Sequence, residues 1–294
     1  MIITRIHGGL GNQLFQFAAG YALARRLGVP HRLDLGTFVH ERERDFGLSA
    51  LGIEFEAATP EETRALAPQW GPWWKNKYIL LRQRLTPFAS RRWVKEENFD
   101  FDERLLKVRG PAYLDGWWQS EKYFADASNE IRGQYLPRLA PSPRAAERAR
   151  SLEGAVSVAV HVRRGDYVAN SDASQFHGTC SAAYYEEACL RISRDLPGAL
   201  FCVFSDDPDW ARASLRIPAR TEHLSERGPL AAHEDFFLMC QCRHFVIANS
   251  TFSWWPAWLA DSQGQRVIAP RRWFRGFDVN PADRFPADWE LLDK

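Results

Sequence analysis

An arginine pair near the middle of the chain has the residue types and the position of an anion-binding site. Residues 155–160 are almost entirely apolar, as expected of a buried parallel strand, and His161, Arg163, Arg164 and Asp166 follow directly. Arginines at the end of such a strand are costly to bury unless an anion meets them. A guanidinium group binds two phosphate oxygens at once and stays charged, so we expect a phosphate-bearing ligand. The alternative is a structural ion pair with Asp166.

A second polar segment lies between a predicted strand and a predicted helix. Its residues are Asn249, Ser250, Thr251, Phe252 and Ser253. The amides of a helix N-terminus together with hydroxyl groups can cradle an anion. Ordinary helix capping by serine and threonine explains the same residues. Because the context matches that of the arginine pair, we predict that this segment also contacts phosphate.

Asp235 stands near the start of the helix that precedes this second segment. A carboxylate can accept hydrogen bonds from both N–H groups on the edge of guanine, which suggests a nucleotide contact. A favourable interaction with the helix dipole is the simpler explanation.

Asp207 and Asp209 have the spacing of a metal–nucleotide motif, but they do not make a strong metal site. Pro208 separates them at the predicted first turn of a helix, where acidic residues are favoured for electrostatic reasons. No further cluster supplies the six or more oxygens that a hard cation needs. We therefore expect no metal and no other cofactor.

A glycine-rich loop follows the N-terminal strand. It contains Gly8, Gly9 and Gly11, followed by Asn12, and it matches neither the dinucleotide-binding fingerprint nor a P-loop. Its glycines would allow a ligand to approach the backbone closely, and a tight strand-to-helix turn is the alternative.

The predicted elements place these loops at the ends of parallel strands. A strand, a glycine loop and a helix open the chain, and short helices are predicted at 60–66 and 78–85. The second half alternates strands and helices, which is typical of a doubly wound α/β domain with ligand loops along one edge. Three prolines in 137–143 indicate a boundary, so we predict domains at 1–145 and 146–294.

The composition limits the other function classes. Lys and Arg number 38 against 37 Asp and Glu, so no overall field favours nucleic acid. Five cysteines without a C-x-x-C pair fit a reduced compartment. The N-terminus resembles no signal peptide, and no apolar run approaches the length of a membrane span. We expect a cytoplasmic protein able to associate peripherally with the inner face of the membrane.

The chain has 12 tryptophans, several of them in adjacent pairs. Large aromatic side chains are usually core residues, but an exposed tryptophan can stack on a sugar ring. The pairs are Trp73–Trp74, Trp117–Trp118 and Trp254–Trp255.

Four segments, taken in order, resemble the family-11 glycosyltransferases of the bacterial α-1,2-fucosyltransferase type. They are GGLGNQLFQ at 8–16, HVRRGDY at 161–167, FSDD at 204–207 and ANSTFSWW at 248–255. The resemblance implies a GT-B fold, in which two Rossmann-like domains face a cleft. It also implies metal-independent, inverting transfer of L-fucose from GDP-L-fucose to the 2-hydroxyl of a β-galactoside, in the synthesis of a bacterial glycan or lipopolysaccharide.

The resemblance also implies roles for individual residues. Arg163 would hold the β-phosphate, 250–253 would contact the pyrophosphate, and Asp235 would bind guanine. His161 would lie near the nucleoside or phosphate, and Asn12 would approach the reacting centre. The N-terminal domain would bind the acceptor, with Trp73, Trp74, Trp117 and Trp118 as candidate stacking platforms.

Several alternatives stay open at this point. The general base is either Asp166 or a water molecule. Arg164 points away from Arg163 in an extended chain, and is expected to pair with Asp166 or support the site. Another donor such as GDP-mannose would use the same phosphate chemistry. A carbohydrate-binding protein without catalysis would explain the tryptophans but not the arginines.

Overall fold

Two parallel sheets organise the chain. The computed structural model describes residues 1–39, 45–135, 141–165, 175–224, 232–260 and 262–294. These form two units, Met1–Gln134 and Tyr135–Lys294, each with one sheet whose strands all run parallel. The predicted α/β fold, with two units that are each built on a parallel sheet, is confirmed.

Unit 1 contains a four-stranded sheet in the order β2-β1-β4-β3. Its strands are β1 (Ile2–Arg5), β2 (His31–Asp34), β3 (Trp93–Lys95) and β4 (Ala112–Asp115). Its helices are α1 (Leu10–Leu27), α2 (Pro60–Leu66) and α3 (Trp73–Leu85), and α4 (Ser128–Tyr135) ends at the division between the units. The helix predicted at 60–66 is confirmed, whereas α3 begins five residues before the predicted start at 78.

Helix α1 packs closely on the sheet of unit 1 because residue 20 is a glycine. A Cβ atom on Gly20 would overlap Thr4 Oγ1 and His31 Nε2, which lie 2.9 Å from each other. The helix ends at Gly28, whose φ of 63° places it in the left-handed region that glycine adopts without strain. Helix α1 is thus held against β1 and β2 at a fixed height, directly after the glycine loop.

Unit 2 contains a six-stranded sheet in the order β10-β9-β8-β5-β6-β7. Its strands are β5 (Ser157–Val162), β6 (Leu200–Ser205), β7 (Thr221–His223), β8 (His244–Val246), β9 (Val267–Pro270) and β10 (Glu290–Leu292). Its helices are α5 (Pro143–Leu152), α6 (Ala182–Asp195), α7 (Pro208–Ser214), α8 (Ala232–Cys240), α9 (Thr251–Ala260) and α10 (Pro281–Arg284). In the described ranges, no helix is long and apolar enough to cross a membrane.

The strand order creates a switch point between β5 and β8. The chain runs outward from β5 through β6 to β7, then returns to β8 on the other side of β5 and continues through β9 to β10. The loops after β5 and β8 therefore leave the sheet in opposite directions. In open parallel sheets, ligands bind in the crevice that such diverging loops open.

The division between the units falls after Gln134, whereas the sequence predicts it after residue 145. The reason is that the segment around α5 packs on unit 2. Ser142 donates its backbone N–H to Glu234 Oε1 at 3.2 Å, and Arg148 Nη1 donates to the Leu224 carbonyl at 2.6 Å. Of the proline-rich segment, 136–140 lie outside the described residues.

Candidate functional site: the switch point of unit 2

Three neighbouring strands carry most of the candidate residues at their carboxyl ends. Strand β5 pairs with β6 through His161 opposite Phe204, and with β8 through Val160 opposite Val246. The arginine pair, the acidic segment 205–207 and the segment 249–253 therefore leave one edge of the sheet side by side. The structure brings together the groups that the sequence predicted for phosphate binding.

Asp206 orients the first arginine. Arg163 Nε lies 3.2 Å from Asp206 Oδ2, and the other oxygen of this carboxylate accepts the backbone N–H of Arg164 at 2.8 Å. A Cβ atom on Gly165 would approach the Asp206 carboxylate to 3.1 Å, so this turn fits closely around it. Asp206 thus braces Arg163 and this turn, whereas the sequence analysis considered Asp166 as the carboxylate that pairs with an arginine. Asp166 itself lies outside the described residues.

The second arginine has different neighbours. Arg164 Nε lies 3.7 Å from Asp207 Oδ2, and its guanidinium carbon lies 4.0 Å from the centre of the Trp210 ring. Asp207 also caps α7, because its Oδ1 accepts the Trp210 N–H at 3.1 Å. Arg164 is therefore stacked and paired at the side of the site, as expected if it supports the site.

Asp206 and Asp207 are engaged by arginines, and Asp209 lies in the first turn of α7. No group of three His, Cys, Asp or Glu side chains that could hold a metal ion occurs among the described residues. The favourable placement of acids at a helix N-terminus accounts for Asp207 and Asp209.

His161 is a neutral, buried histidine beside the arginine. Its side chain is 5% exposed, and its ring centre lies 5.6 Å from that of Phe252. Burial, helped by the positive charge of Arg163, lowers the pKa of His161 to about 3. Its Nδ1 atom is buried and has no hydrogen-bond partner among the described residues. A buried polar atom of this kind is suited to a ligand contact, since such atoms normally have partners.

Asn249 braces the segment after β8. Its side-chain amide donates to the carbonyls of His177, Gly178 and Trp273 at 3.0, 3.1 and 3.0 Å, and its Oδ1 faces the Cys180 thiol. The side chain is 1% exposed, so it fixes the start of α9 rather than offering its amide to solvent. This is a structural role that the sequence analysis did not anticipate.

Helix α9 begins at the residues predicted to form an anion cradle. The backbone N–H groups of Ser253 and Trp254 both reach the Ser250 carbonyl at 3.2 Å. Ser253 is buried, whereas Thr251 and Phe252 are partly exposed at the first turn. Thr251 and the first amides of α9 are therefore the groups best placed to meet an anion beside Arg163.

Asp235 lies in the first turn of α8, next to a ring that packs on the cradle. The rings of Phe236 and Phe252 are 5.8 Å apart, which places the start of α8 beside the first turn of α9. Asp235 is partly buried.

The glycine loop belongs to unit 1, and its neighbours hold it firmly. Gly8 has a φ of 74°, and a Cβ atom there would lie 3.0 Å from the Trp117 ring. Gln13 Nε2 donates to the Gly8 carbonyl at 2.8 Å, and Gln119 Nε2 donates to Asn12 Oδ1 at 2.8 Å. Gly9 precedes α1 and Gly11 is buried in its first turn. The loop is a braced turn with a left-handed glycine.

A cavity of about 180 Å³, which the sequence analysis missed, opens at the carboxyl ends of β1, β3 and β4 in unit 1. Arg5 Nη1 and Asp115 Oδ1 form an ion pair at 3.2 Å in its wall. The His7 ring packs against Trp117 with centres 4.1 Å apart. Burial and the charge of Arg5 lower the pKa of His7 to about 4, so its imidazole is neutral at pH 7. The cavity could have been found from the sequence because each of these three strands ends in a charged residue, Arg5, Lys95 or Asp115.

The tryptophan pairs divide between core and surface. Trp118, Trp254 and Trp255 are at most 1% exposed and are core residues. Trp117 lines the cavity of unit 1, whereas Trp73 and Trp74 project from α3 with 72% and 61% exposed. Of the predicted stacking platforms, Trp118 is thus unavailable for a sugar.

Comparison with known proteins identifies the family of this chain. The family model described as glycosyl transferase family 11 matches residues 1–292. The chain belongs to glycosyltransferase family 11. An Escherichia coli protein named alpha-1,2-colitosyltransferase is 30% identical, with 100% of this chain and 99% of that protein covered.

Two further relatives carry different names. The O-antigen biosynthesis glycosyltransferase WbnK of Escherichia coli is 30% identical, over 92% of this chain and 94% of that protein. Galactoside alpha-(1,2)-fucosyltransferase 1 of Ateles belzebuth is 29% identical, over 86% of this chain and 63% of that protein. This family member is therefore a glycosyltransferase.

Among solved structures, a mutant of Arabidopsis thaliana FUT1 in complex with GDP has a TM-score of 0.50 and 11% sequence identity. The similarity covers 91% of this chain and 70% of that one. At this identity it supports the fold alone.

Proposed function

We propose that this glycosyltransferase moves L-fucose from GDP-L-fucose to the 2-hydroxyl of a terminal β-galactoside in a glycan, with inversion and without a metal ion. The observation that carries the proposal is Arg163, oriented by Asp206 beside the first turn of α9 at the switch point of unit 2. The names of the family-11 relatives support fucose or a similar deoxy sugar.

The leaving group explains why a fixed cation is needed. As the bond from the anomeric carbon to the phosphate oxygen breaks, negative charge grows on the diphosphate. A preorganised guanidinium and helix amides stabilise that charge without reorganisation. We assign the β-phosphate to Arg163 and the remaining phosphate oxygens to Thr251 and the amides of α9. Since arginines engage Asp206 and Asp207, the proposal gives no role to a metal.

The nucleoside is assigned to the region between α8 and α9. Asp235 in the first turn of α8 would accept the N–H groups of guanine, and the neutral His161 would hydrogen-bond the ribose or phosphate through Nδ1. A neutral imidazole adds no charge, so in this proposal the arginine supplies the cation.

The acceptor is assigned to the cavity of unit 1. Sugars bind through an aromatic face and a few charged hydrogen-bonding groups, and Trp117, Arg5 and Asp115 offer both. The proton of the acceptor hydroxyl leaves as the new glycosidic bond forms. Asp166 and water are the two candidate proton acceptors.

A second donor is favoured by a specific observation. The relative that is matched over 99% of its length is named an alpha-1,2-colitosyltransferase. A GDP-linked colitosyl donor is therefore the main alternative to GDP-L-fucose. GDP-mannose uses the same phosphate contacts and remains a third candidate.

The test is a transfer assay with the purified protein. We would measure GDP release with each of the three donors and a panel of β-galactosides, followed by linkage analysis of the product. The proposal predicts turnover with GDP-L-fucose and a new α-1,2 bond. Turnover with only one of the other two donors would show that the transferred sugar is not L-fucose. Thermal stabilisation by GDP without any transfer would contradict a fucosyltransferase, and no stabilisation by GDP would indicate a carbohydrate-binding protein.

A further inference from the structure

We propose that α3 is a membrane-binding helix that docks unit 1 on an anionic lipid surface. The inference rests on the faces of α3 and is independent of the transfer reaction proposed above.

One side of α3 attaches the helix to unit 1. Ile79 packs against the cluster formed by Ile3, Leu66, Trp93 and Tyr113. Gln83 Nε2 donates to the Trp93 carbonyl at 2.6 Å. Ile79 and Gln83 are one turn apart, so they define the face that points into the protein.

The opposite side of α3 is apolar and exposed to solvent. At 3.6 residues per turn, the side chains of Trp74, Tyr78, Leu81 and Leu85 project within an arc of about 60°, opposite the face of Ile79 and Gln83. Their exposed fractions are 61%, 62%, 56% and 75%. Hydrophobic side chains exposed together in this way mark an interaction surface, whereas single exposed ones need no explanation.

Basic residues border this stripe on both sides. The same helical geometry places Lys77 and Arg84 along one edge, and Lys75 and Arg82 along the other. Residues 73–85 contain no Asp or Glu, although the whole chain is nearly neutral. None of the four cations forms an ion pair within the part of the chain that the structure describes; Lys77 Nζ lies 5.1 Å above the Trp73 ring.

This arrangement identifies the partner by its chemistry. An apolar stripe with tryptophan and tyrosine between two rows of cations matches the boundary between acyl chains and anionic headgroups. Trp and Tyr suit that boundary because each has an apolar ring and a polar N–H or O–H. A second copy of α3 would bring eight cations together without any acidic residue to offset them, so charge favours a lipid surface over self-association.

The test uses the full chain and two kinds of vesicle. One kind contains only phosphatidylcholine, and the other contains equal parts of phosphatidylcholine and phosphatidylglycerol. We expect flotation with the anionic vesicles, weak flotation with the neutral ones, and release from the anionic vesicles at high salt. Equal binding to both vesicles, or none to either, would overturn the proposal.

Substitutions separate the two components of the surface. Trp74→Gln with Leu81→Gln removes two of the four apolar side chains of the stripe, and Lys77→Glu with Arg84→Glu reverses one basic edge. Each double variant should lower the affinity for anionic vesicles more than about tenfold. All these side chains are partly or largely exposed, so the melting temperature should stay near that of the parent protein.

Val39→Gln is the matched control, because Val39 is 77% exposed but lies outside α3. It should bind vesicles like the parent. Sedimentation velocity on the same variants tests whether a second copy of this chain, and not a lipid surface, covers the stripe. If the parent is a dimer that Trp74→Gln with Leu81→Gln turns into a monomer, and vesicle binding is unchanged, the stripe is an interface between copies and the proposal is wrong.

Discussion

At the scale of single residues, the contact between Asp206 and Arg163 explains how this chain can aim a cation at a phosphate. The carboxylate holds Nε of Arg163 and the N–H of Arg164 at once, so both the side chain and the turn are fixed. A cation that is already oriented stabilises developing charge better than a mobile one, because no reorganisation is needed during the reaction.

We predict that Asp206→Asn lowers kcat/KM for the donor by about tenfold or more, since loss of a charged hydrogen bond of this kind costs about 1.5–3 kcal/mol. The side chain keeps its shape but no longer fixes the guanidinium by charge. Steady-state kinetics at saturating acceptor measures the effect. Asp288→Asn makes the same chemical change at an exposed position and should be silent. A donor kcat/KM equal to that of the parent would rule out the bracing role.

Three buried histidines predict how stability depends on pH. Burial lowers the pKa of His31 and of His161 to about 3, and the pKa of His7 to about 4. The unfolded chain, with histidine pKa values near 6.5, therefore binds more protons than the folded one below neutrality. Stability is complete above pH about 6.5 and falls as the pH drops towards 4.

Between pH 7.5 and 5.5 each of these histidines should remove about 1 kcal/mol from the free energy of unfolding. Urea denaturation at the two pH values measures the sum. His31→Gln should make the loss smaller by about 1 kcal/mol, because the neutral glutamine side chain does not titrate. An unchanged free energy of unfolding over this range would show that these imidazoles are accessible to protons in the folded state.

At the scale of elements, the position of strand ends was predictable and the side-chain partners were not. The apolar run at 155–160 predicted a buried strand directly before the arginine pair, and the structure confirms it as β5 (Ser157–Val162). The next strand along the chain, β6, also lies next to β5 in the sheet, which a single sequence does not reveal. For that reason the contact of Arg163 with Asp206 could not be predicted from the sequence.

Helix α3 shows a different limit. The sequence analysis predicts a helix only from residue 78, whereas α3 begins at Trp73. In the structure Trp74, Tyr78, Leu81 and Leu85 face solvent, whereas Ile79 and Gln83 attach the helix to unit 1. A periodicity argument assumes that the apolar face is buried, so it fails for a helix with an exposed stripe.

The packing of α1 gives a prediction about a glycine. Gly20→Ala should destabilise unit 1 by about 2 kcal/mol or more, because the new methyl group would overlap Thr4 and His31 in a closely packed core. Gly133→Ala is the control: residue 133 is exposed within α4 and has open space around a Cβ atom, so it should be neutral or stabilising by up to about 1 kcal/mol. Chemical denaturation of both variants measures their free energies of unfolding. Equal values for Gly20→Ala and Gly133→Ala would contradict the close approach of α1 to the sheet.

At the scale of the whole molecule, the sequence motifs identified the family correctly, and the two units divide after Gln134, before the boundary predicted after residue 145. The four segments lie at strand ends and helix starts, where chemistry constrains residue types, and the family model extends over the chain from 1 to 292. The boundary depends on contacts such as that of Ser142 with Glu234, which composition cannot indicate. The cavity of unit 1 was missed for a related reason, because its lining residues come from three separate strands.

Because the acceptor is assigned to unit 1 and the donor to unit 2, we expect a substitution in unit 1 to change the KM for the acceptor alone. Trp117→Ala should raise KM for the acceptor by about tenfold, because loss of an aromatic platform costs on the order of 1 kcal/mol or more. The KM for the donor should not change, since the donor is assigned to unit 2. Val39→Ala is the control, because Val39 is 77% exposed and does not line the cavity, so it should leave the KM for the acceptor unchanged. A change in donor KM alone would contradict the assignment.

The most direct test of the central claim is the turnover of Arg163→Ala with GDP-L-fucose and a β-galactoside, measured beside its melting temperature. Removing a preorganised charged group should lower kcat at least about a hundredfold, or about 3 kcal/mol in transition-state stabilisation. The melting temperature should stay close to that of the parent, because Arg163 follows the carboxyl end of β5 and its side chain lies outside the core. A folded Arg163→Ala protein with near-normal turnover would contradict the account.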